Sequence, residues 1–139
     1  MADVTLVVRR TVRAPIARVF EAWTRAESVA MWWGPSPVRC SGAEIDLRVG
    51  GRYRIGNVFP DGRELWIEGE FDVVDPPHRL VYSWIVGSAP AERVTVRFEE
   101  LDSATEIIIA HEKIADDSTR DGHQRGWEGC LDGLAEWLG

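Results

Sequence analysis

The chain is 139 residues long, the length of one domain (1–139), and a domain of that size buries a core without disulfide or metal staples. Hydrophobic residues at 45% and charged residues at 28% exclude a disordered chain, and no run of ~18 apolar residues offers a membrane span. A net charge of −7, with the basic residues scattered, excludes the basic stripe that nucleic-acid binding requires.

Met1-Ala2-Asp3-Val4 runs straight into an alternation, so no signal peptide is read and cytoplasmic residence is expected. Val4, Leu6, Val8 and Val12 keep period two over residues 4–12 and predict a strand with one buried face. Arg10 falls on the inward side, which reads as a buried stem with its guanidinium reaching water. Ala14-Pro15 opens a helix carrying Val19, Phe20 and Trp23 at helical spacing. A second short helix over 26–31 stops at Trp32-Trp33-Gly34-Pro35.

From Val38 to His111 the pattern is β throughout. A strand is expected over Val38–Val49, then a Gly50-Gly51 turn, a strand over Tyr53–Phe59 and a hairpin at Pro60-Asp61-Gly62, where Pro presets φ and Gly takes positive φ. Leu65, Ile67, Phe71 and Val73 alternate with acidic residues until Pro76-Pro77. Leu80, Tyr82 and Trp84, then Val94, Val96 and Phe98, then Thr105, Ile107, Ile109 and His111 complete six or seven antiparallel strands in succession.

The tail from about Ser118 to Leu138 is helical, with Asp116, Asp117 and Ser118 as N-cap candidates. Trp127, Leu131, Leu134 and Leu138 form its apolar stripe. Gly122, Gly126, Gly129 and Gly133 interrupt the same helix, each at ~1 kcal/mol relative to Ala. Two reasons are open: close approach of the helix to a sheet, or room for a ligand. The fold class is α+β: a curved six- to seven-stranded antiparallel sheet wrapped around a long C-terminal helix, with two short helices between strands 1 and 2. A long helix across a curved sheet tends to leave a cavity between them.

Several segments carry a resemblance: Arg10-Thr11-Val12-Arg13-Ala14-Pro15, Val19-Phe20-Glu21-Ala22-Trp23-Thr24, Trp32-Trp33-Gly34-Pro35, Asp46-Leu47-Arg48-Val49-Gly50-Gly51-Arg52-Tyr53-Arg54, Pro60-Asp61-Gly62, Gly69, Arg79-Leu80-Val81-Tyr82-Ser83-Trp84 and Gly126-Trp127. In this order the chain resembles the Activator-of-heat-shock-protein-90-ATPase-like domains of the START-like, Bet v 1-like helix-grip superfamily (SRPBCC). The resemblance implies a helix-grip fold with a cavity under the C-terminal helix. It does not imply one function: relatives include a co-chaperone domain, carriers of hydrophobic ligands and aromatase/cyclase enzymes. The separate N-terminal domain of the co-chaperone is not in this chain.

Tryptophan is the compositional oddity, with seven residues against two tyrosines and four phenylalanines. Trp23 reads as core, Trp137 as core or interface, and Trp66 as outward and a homodimer contact; Trp33 is undecided. His78 reads as exposed in a turn. His111 shares the inward parity of Ile107 and Ile109, and His123 lies one helical turn before Trp127. Both histidines read either as satisfied structural groups or as ligand-contacting or acid–base groups on a cavity wall. Asp46 and Arg48 read as a surface ion pair.

The expected ligand-binding set is Trp32, Phe59, Tyr82, Trp84, His111, His123, Gly126 and Trp127, with the alternative that these rings fill the space. No catalytic residue, metal or cofactor is assigned. Cys40 and Cys130 form neither a disulfide framework nor a metal spacing. The expected partner is a hydrophobic, aromatic small molecule. The alternatives are a cyclase or lyase enzyme using His111 or His123 on a polyketide-like substrate, and a chaperone-interacting module.

Overall fold

The computed structural model describes residues 3–34 and 37–139, so Pro35 of the Trp32-Trp33-Gly34-Pro35 stretch lies outside the described residues. The order is β1 (Val4–Val12), α1 (Ile16–Thr24), α2 (Ala26–Trp32), β2 (Arg39–Ile45), β3 (Arg52–Val58), β4 (Glu64–Asp75), β5 (Arg79–Val86), β6 (Glu92–Leu101), β7 (Ala104–Ile114) and α3 (Asp117–Leu138). The seven strands form one curved antiparallel sheet in the order β1-β7-β6-β5-β4-β3-β2. β2 to β7 are therefore a meander, and β1 pairs with β7 after the excursion through α1 and α2. This is the helix-grip architecture that the sequence predicts.

Alternation decides which face each strand buries. Val94, Val96 and Phe98 of β6 and Thr105, Ile107, Ile109 and His111 of β7 are buried, as are Leu6, Val8 and Val12 of β1. The register then sets Val94 opposite His111, and Trp84 of β5 opposite Glu92 of β6. α3 covers this face with Trp127, Cys130, Leu131, Leu134 and Leu138. Its first turn is capped by Asp116, whose carboxylate accepts the Thr119 backbone N–H at 2.8 Å. Arg10 keeps its inward position by reaching α3, where its guanidinium meets the Asp132 carboxylate at 2.7 Å.

One expected boundary moves. The strand predicted over Val38–Val49 ends at Ile45, and residues 46–51 form a loop closed by Asp46 N–H to the Arg52 carbonyl and Gly51 N–H to the Arg48 carbonyl. Leu47 and Val49 alternate in the sequence like strand residues but stand exposed. Gly50 takes φ +83°, and a Cβ on Gly51 would run into the Asp46 carbonyl, so both glycines are required by the turn. The predicted Asp46–Arg48 ion pair is present at 2.9 Å, on the surface.

Candidate functional site

Under the first half of α3 lies a cavity of about 450 Å³. Thr119, Gly122, His123, Gly126, Trp127 and Cys130 face it from α3. Their spacing of three and four puts them on one helical stripe. The sheet supplies Asn57, Phe59, Leu65, Ile67, Trp84, Val86 and Glu92, while Trp33 and Val38 close one end and the exposed Ala89 and Pro90 form the rim.

The glycines of α3 explain where this space comes from. A Cβ on Gly122 or Gly126 would meet nothing within 4 Å, whereas a Cβ on Gly133 would lie 2.6 Å from the Trp32 carbonyl oxygen. Gly133 thus lets the helix touch the end of α2, and Gly122 and Gly126 leave the cavity open. The close approach that the sequence suggests toward the sheet is instead toward α2 at Gly133, and Gly122 and Gly126 face open space in other turns of the same helix.

Beyond the apolar wall is a hydrogen-bonded chain. Trp127 Nε1–H donates to His111 Nδ1 at 3.0 Å. His111 Nε2 lies 2.8 Å, and His123 Nε2 2.9 Å, from the same Glu92 Oε1. The two imidazoles stack with centroids 4.4 Å apart, and Trp84 meets both edge-on. An indole N–H only donates, so His111 Nδ1 is bare and the His111 hydrogen sits on Nε2, donated to Glu92. Burial, with His123 adding to it, pushes the His111 pKa down to about 3, which keeps this ring neutral. Burial pushes the Glu92 carboxyl above its ordinary range, with His123 opposing.

Glu92, His111 and His123 present three donor atoms within 4.8 Å, the footprint of a metal ligand set. Their chemistry does not fit one. A metal-bound imidazole gives its other ring N–H to an acceptor. His111 instead receives an N–H from Trp127 on that nitrogen, so its Nε2 carries a hydrogen where a metal needs a lone pair. The cluster is built as a hydrogen-bond relay.

The indoles divide sharply when their N–H groups are followed. Trp32 donates to the Ala22 carbonyl at 2.9 Å, Trp33 to Asn57 Oδ1 at 2.9 Å, and Trp66 to Glu64. Asn57 gives its own amide hydrogens to the Ile55 and Leu65 carbonyls, so it is fully used in holding Trp33. Trp84 Nε1 is buried and has no partner among the described residues.

Of the expected ligand-binding set, Phe59, Trp84, His123, Gly126 and Trp127 line the cavity. Trp32, Tyr82 and His111 do not. Trp32 packs against Trp23 at 5.1 Å, and Tyr82 joins Tyr53 and Phe71 in a second cluster beyond Trp33 and Trp84. The space there is only about 20 Å³, room for one water. His111 is completely buried behind Glu92 and His123. Trp33, undecided from sequence, is a wall residue, and Glu92 is the member that sequence reasoning missed. Its signal was available: Glu92 shares the inward parity of Val94, Val96 and Phe98.

Trp23 is core, stacked on Trp127, and Trp137 is partly exposed. Trp66 points outward as predicted. Its ring lies against Gly42 and Gly56, and the Arg54 guanidinium stacks 4.1 Å above it.

No curated protein matches this chain. A crystal structure of a protein from Chromobacterium violaceum is 27% identical, with TM-score 0.88 over 96% of this chain and 95% of that one. An AHSA1-like protein from Aeromonas hydrophila is 26% identical, with TM-score 0.80 over 97% and 92%. The AHSA1 protein from Silicibacter pomeroyi, at 21% identity, shares the fold with TM-score 0.87 over 97% of each chain. The family described as Activator of Hsp90 ATPase homolog 1-like protein matches residues 13–139, and the chain belongs to that family.

Proposed function

We propose that this protein binds a hydrophobic, aromatic small molecule in the cavity between the sheet and the first half of α3. The observation that carries the reading is a space of about 450 Å³ walled by Trp33, Phe59, Trp84 and Trp127 and kept open by Gly122 and Gly126. That volume is within the range of small-molecule sites, which are largely apolar with a few placed polar groups. Interiors otherwise close-pack, as the Tyr53–Phe71–Tyr82 side of the same fold does. Cytoplasmic residence belongs to the same reading. Cys40 and Cys130 are both unpaired, as thiols are in a reducing compartment.

The test is a tryptophan-fluorescence titration against flavonoids, polyketides and fatty acids. Trp33, Trp84 and Trp127 line the cavity, so a bound aromatic ligand changes the emission. Saturable changes with the aromatic compounds are expected; a flat response to the whole panel overturns the reading.

A further inference from the structure

We propose that the ligand carries an acidic hydroxyl, a phenol or an enol, and that His123 takes up its proton when it binds. The inference rests on the cavity reading above and adds the chemistry of the polar end.

With Glu92 ionised, both imidazoles donate to its carboxylate. Trp127 fixes His111 as the Nε2–H form, and His111 gives that hydrogen to Glu92 Oε1. Glu92 Oε1 also faces His123 Nε2, which therefore donates to it. When His123 is neutral its remaining nitrogen, Nδ1, is a bare acceptor. Among the described residues that nitrogen has no partner, and the only buried side-chain nitrogens or oxygens without one are Trp84 Nε1 and Arg120 Nε. His123 Nδ1 is thus open, on a residue that lines the cavity. Glu92 Oε2 has no protein partner among the described residues either, so an apolar chamber whose polar end offers unfilled acceptors selects a ligand that is apolar over most of its surface and ends in a donor.

The acceptor is also a base with its counter-charge in place. Transfer breaks the ligand O–H bond and forms N–H on His123 Nδ1, leaving a phenolate or enolate beside an imidazolium. No co-reactant is needed. The imidazolium keeps its Nε2–H on the Glu92 carboxylate, a charge-assisted bond. Of the described groups in hydrogen-bond or ring contact with His123, Glu92 from β6 is charged, His111 from β7 is held neutral, and Trp84 from β5 carries no charge. Nothing in contact therefore competes with Glu92 for the new positive charge. His111 and Trp127 act as positioning residues, since they orient Glu92 without reaching the ligand proton.

The probes are 4-nitrophenol, whose ionised form has its own visible band, and nitrobenzene, which lacks the hydroxyl. Calorimetry on the wild-type protein gives both affinities, and absorbance gives the ionisation of bound nitrophenol. The expected result is a preference for nitrophenol of about ten- to a hundredfold, the range for a hydrogen bond to a charged group, with the bound probe more ionised than the free one at the same pH. In His123→Phe the preference falls toward one and the extra ionisation disappears. In Glu92→Gln the extra ionisation is reduced, because the imidazolium loses its counter-charge. Equal wild-type affinities for the two probes overturn the inference and leave the cavity reading standing. Binding of neither probe overturns both. A folded His123→Phe protein that keeps the preference and the ionised band also overturns the inference.

Discussion

Gly126 and Gly133 lie about two turns apart on α3 and meet opposite surroundings. At Gly133 the helix is in contact with the Trp32 carbonyl, and Leu131 and Leu134 beside it are completely buried. At Gly126 the helix stands clear, and the gap is the cavity. The same residue type thus builds a close packing at one end and a chamber at the other. The difference comes from what each side of the sheet contributes. Phe98, Ile107 and Ile109 fill the layer from β6 and β7, while Trp33 and Trp84 wall off an unfilled region toward β3 and β4. A helical glycine is therefore informative only together with the residue facing it.

The contrast also separates a sealed polar group from an accessible one. His111 is sealed and neutral, and His123, stacked on it, lines the open chamber. Acid exposes this most strongly. The folded His111 pKa of about 3 lies below its ordinary value of 6.5, so between those values the unfolded chain binds a proton that the folded chain refuses. Stability should be fully present above about pH 6.5 and fall as the pH drops toward 3, by ~3 kcal/mol at pH 4 from this group alone. Glu92 works in the other direction: its raised folded pKa favours the protonated carboxyl and offsets part of the loss. Urea midpoints from pH 7 to pH 4 measure the slope, which should flatten in His111→Gln.

The two glycines give the next effect. Gly133→Ala places a Cβ against backbone rather than a flexible side chain, and should destabilise by ~1–3 kcal/mol. Gly126→Ala meets open space and gains helix propensity, so it should stabilise by up to ~1 kcal/mol. Thermal unfolding of the two variants reads both. Equal signs would dissolve the distinction between the two ends of α3.

Much of this fold was legible because its strands bury one face. Alternation located β1, β6 and β7 with the right inward residues, and the Gly and Pro punctuation found the hairpins. The strand beyond Ile45 was misread because Leu47 and Val49 alternate in a loop held by glycine geometry rather than by pairing. The site was less legible for two physical reasons. Periodicity stops where a helix stops: α2 ends at Trp32 and Trp33 is extended at φ −69°, ψ 140°, so adjacent indoles diverge, one into the core and one onto the cavity wall. Parity also gives a face but no position along it. Tyr82 shares the row of Trp84 yet falls beyond the wall formed by Trp33 and Trp84, and His111 points inward yet lies behind Glu92. Glu92 follows the exposed 87–91 loop, and only its parity with Val94 marked it as inward.

The central claim, that the open end of α3 is where the ligand sits, is tested most directly by filling it. Naphthalene binding is measured by calorimetry on the wild-type protein and on Gly126→Leu, with folding checked by thermal unfolding. Gly126 borders open space, so the leucine side chain should occupy the cavity and weaken naphthalene binding by at least about tenfold. A folded Gly126→Leu protein that binds naphthalene as tightly as the wild type would contradict the account.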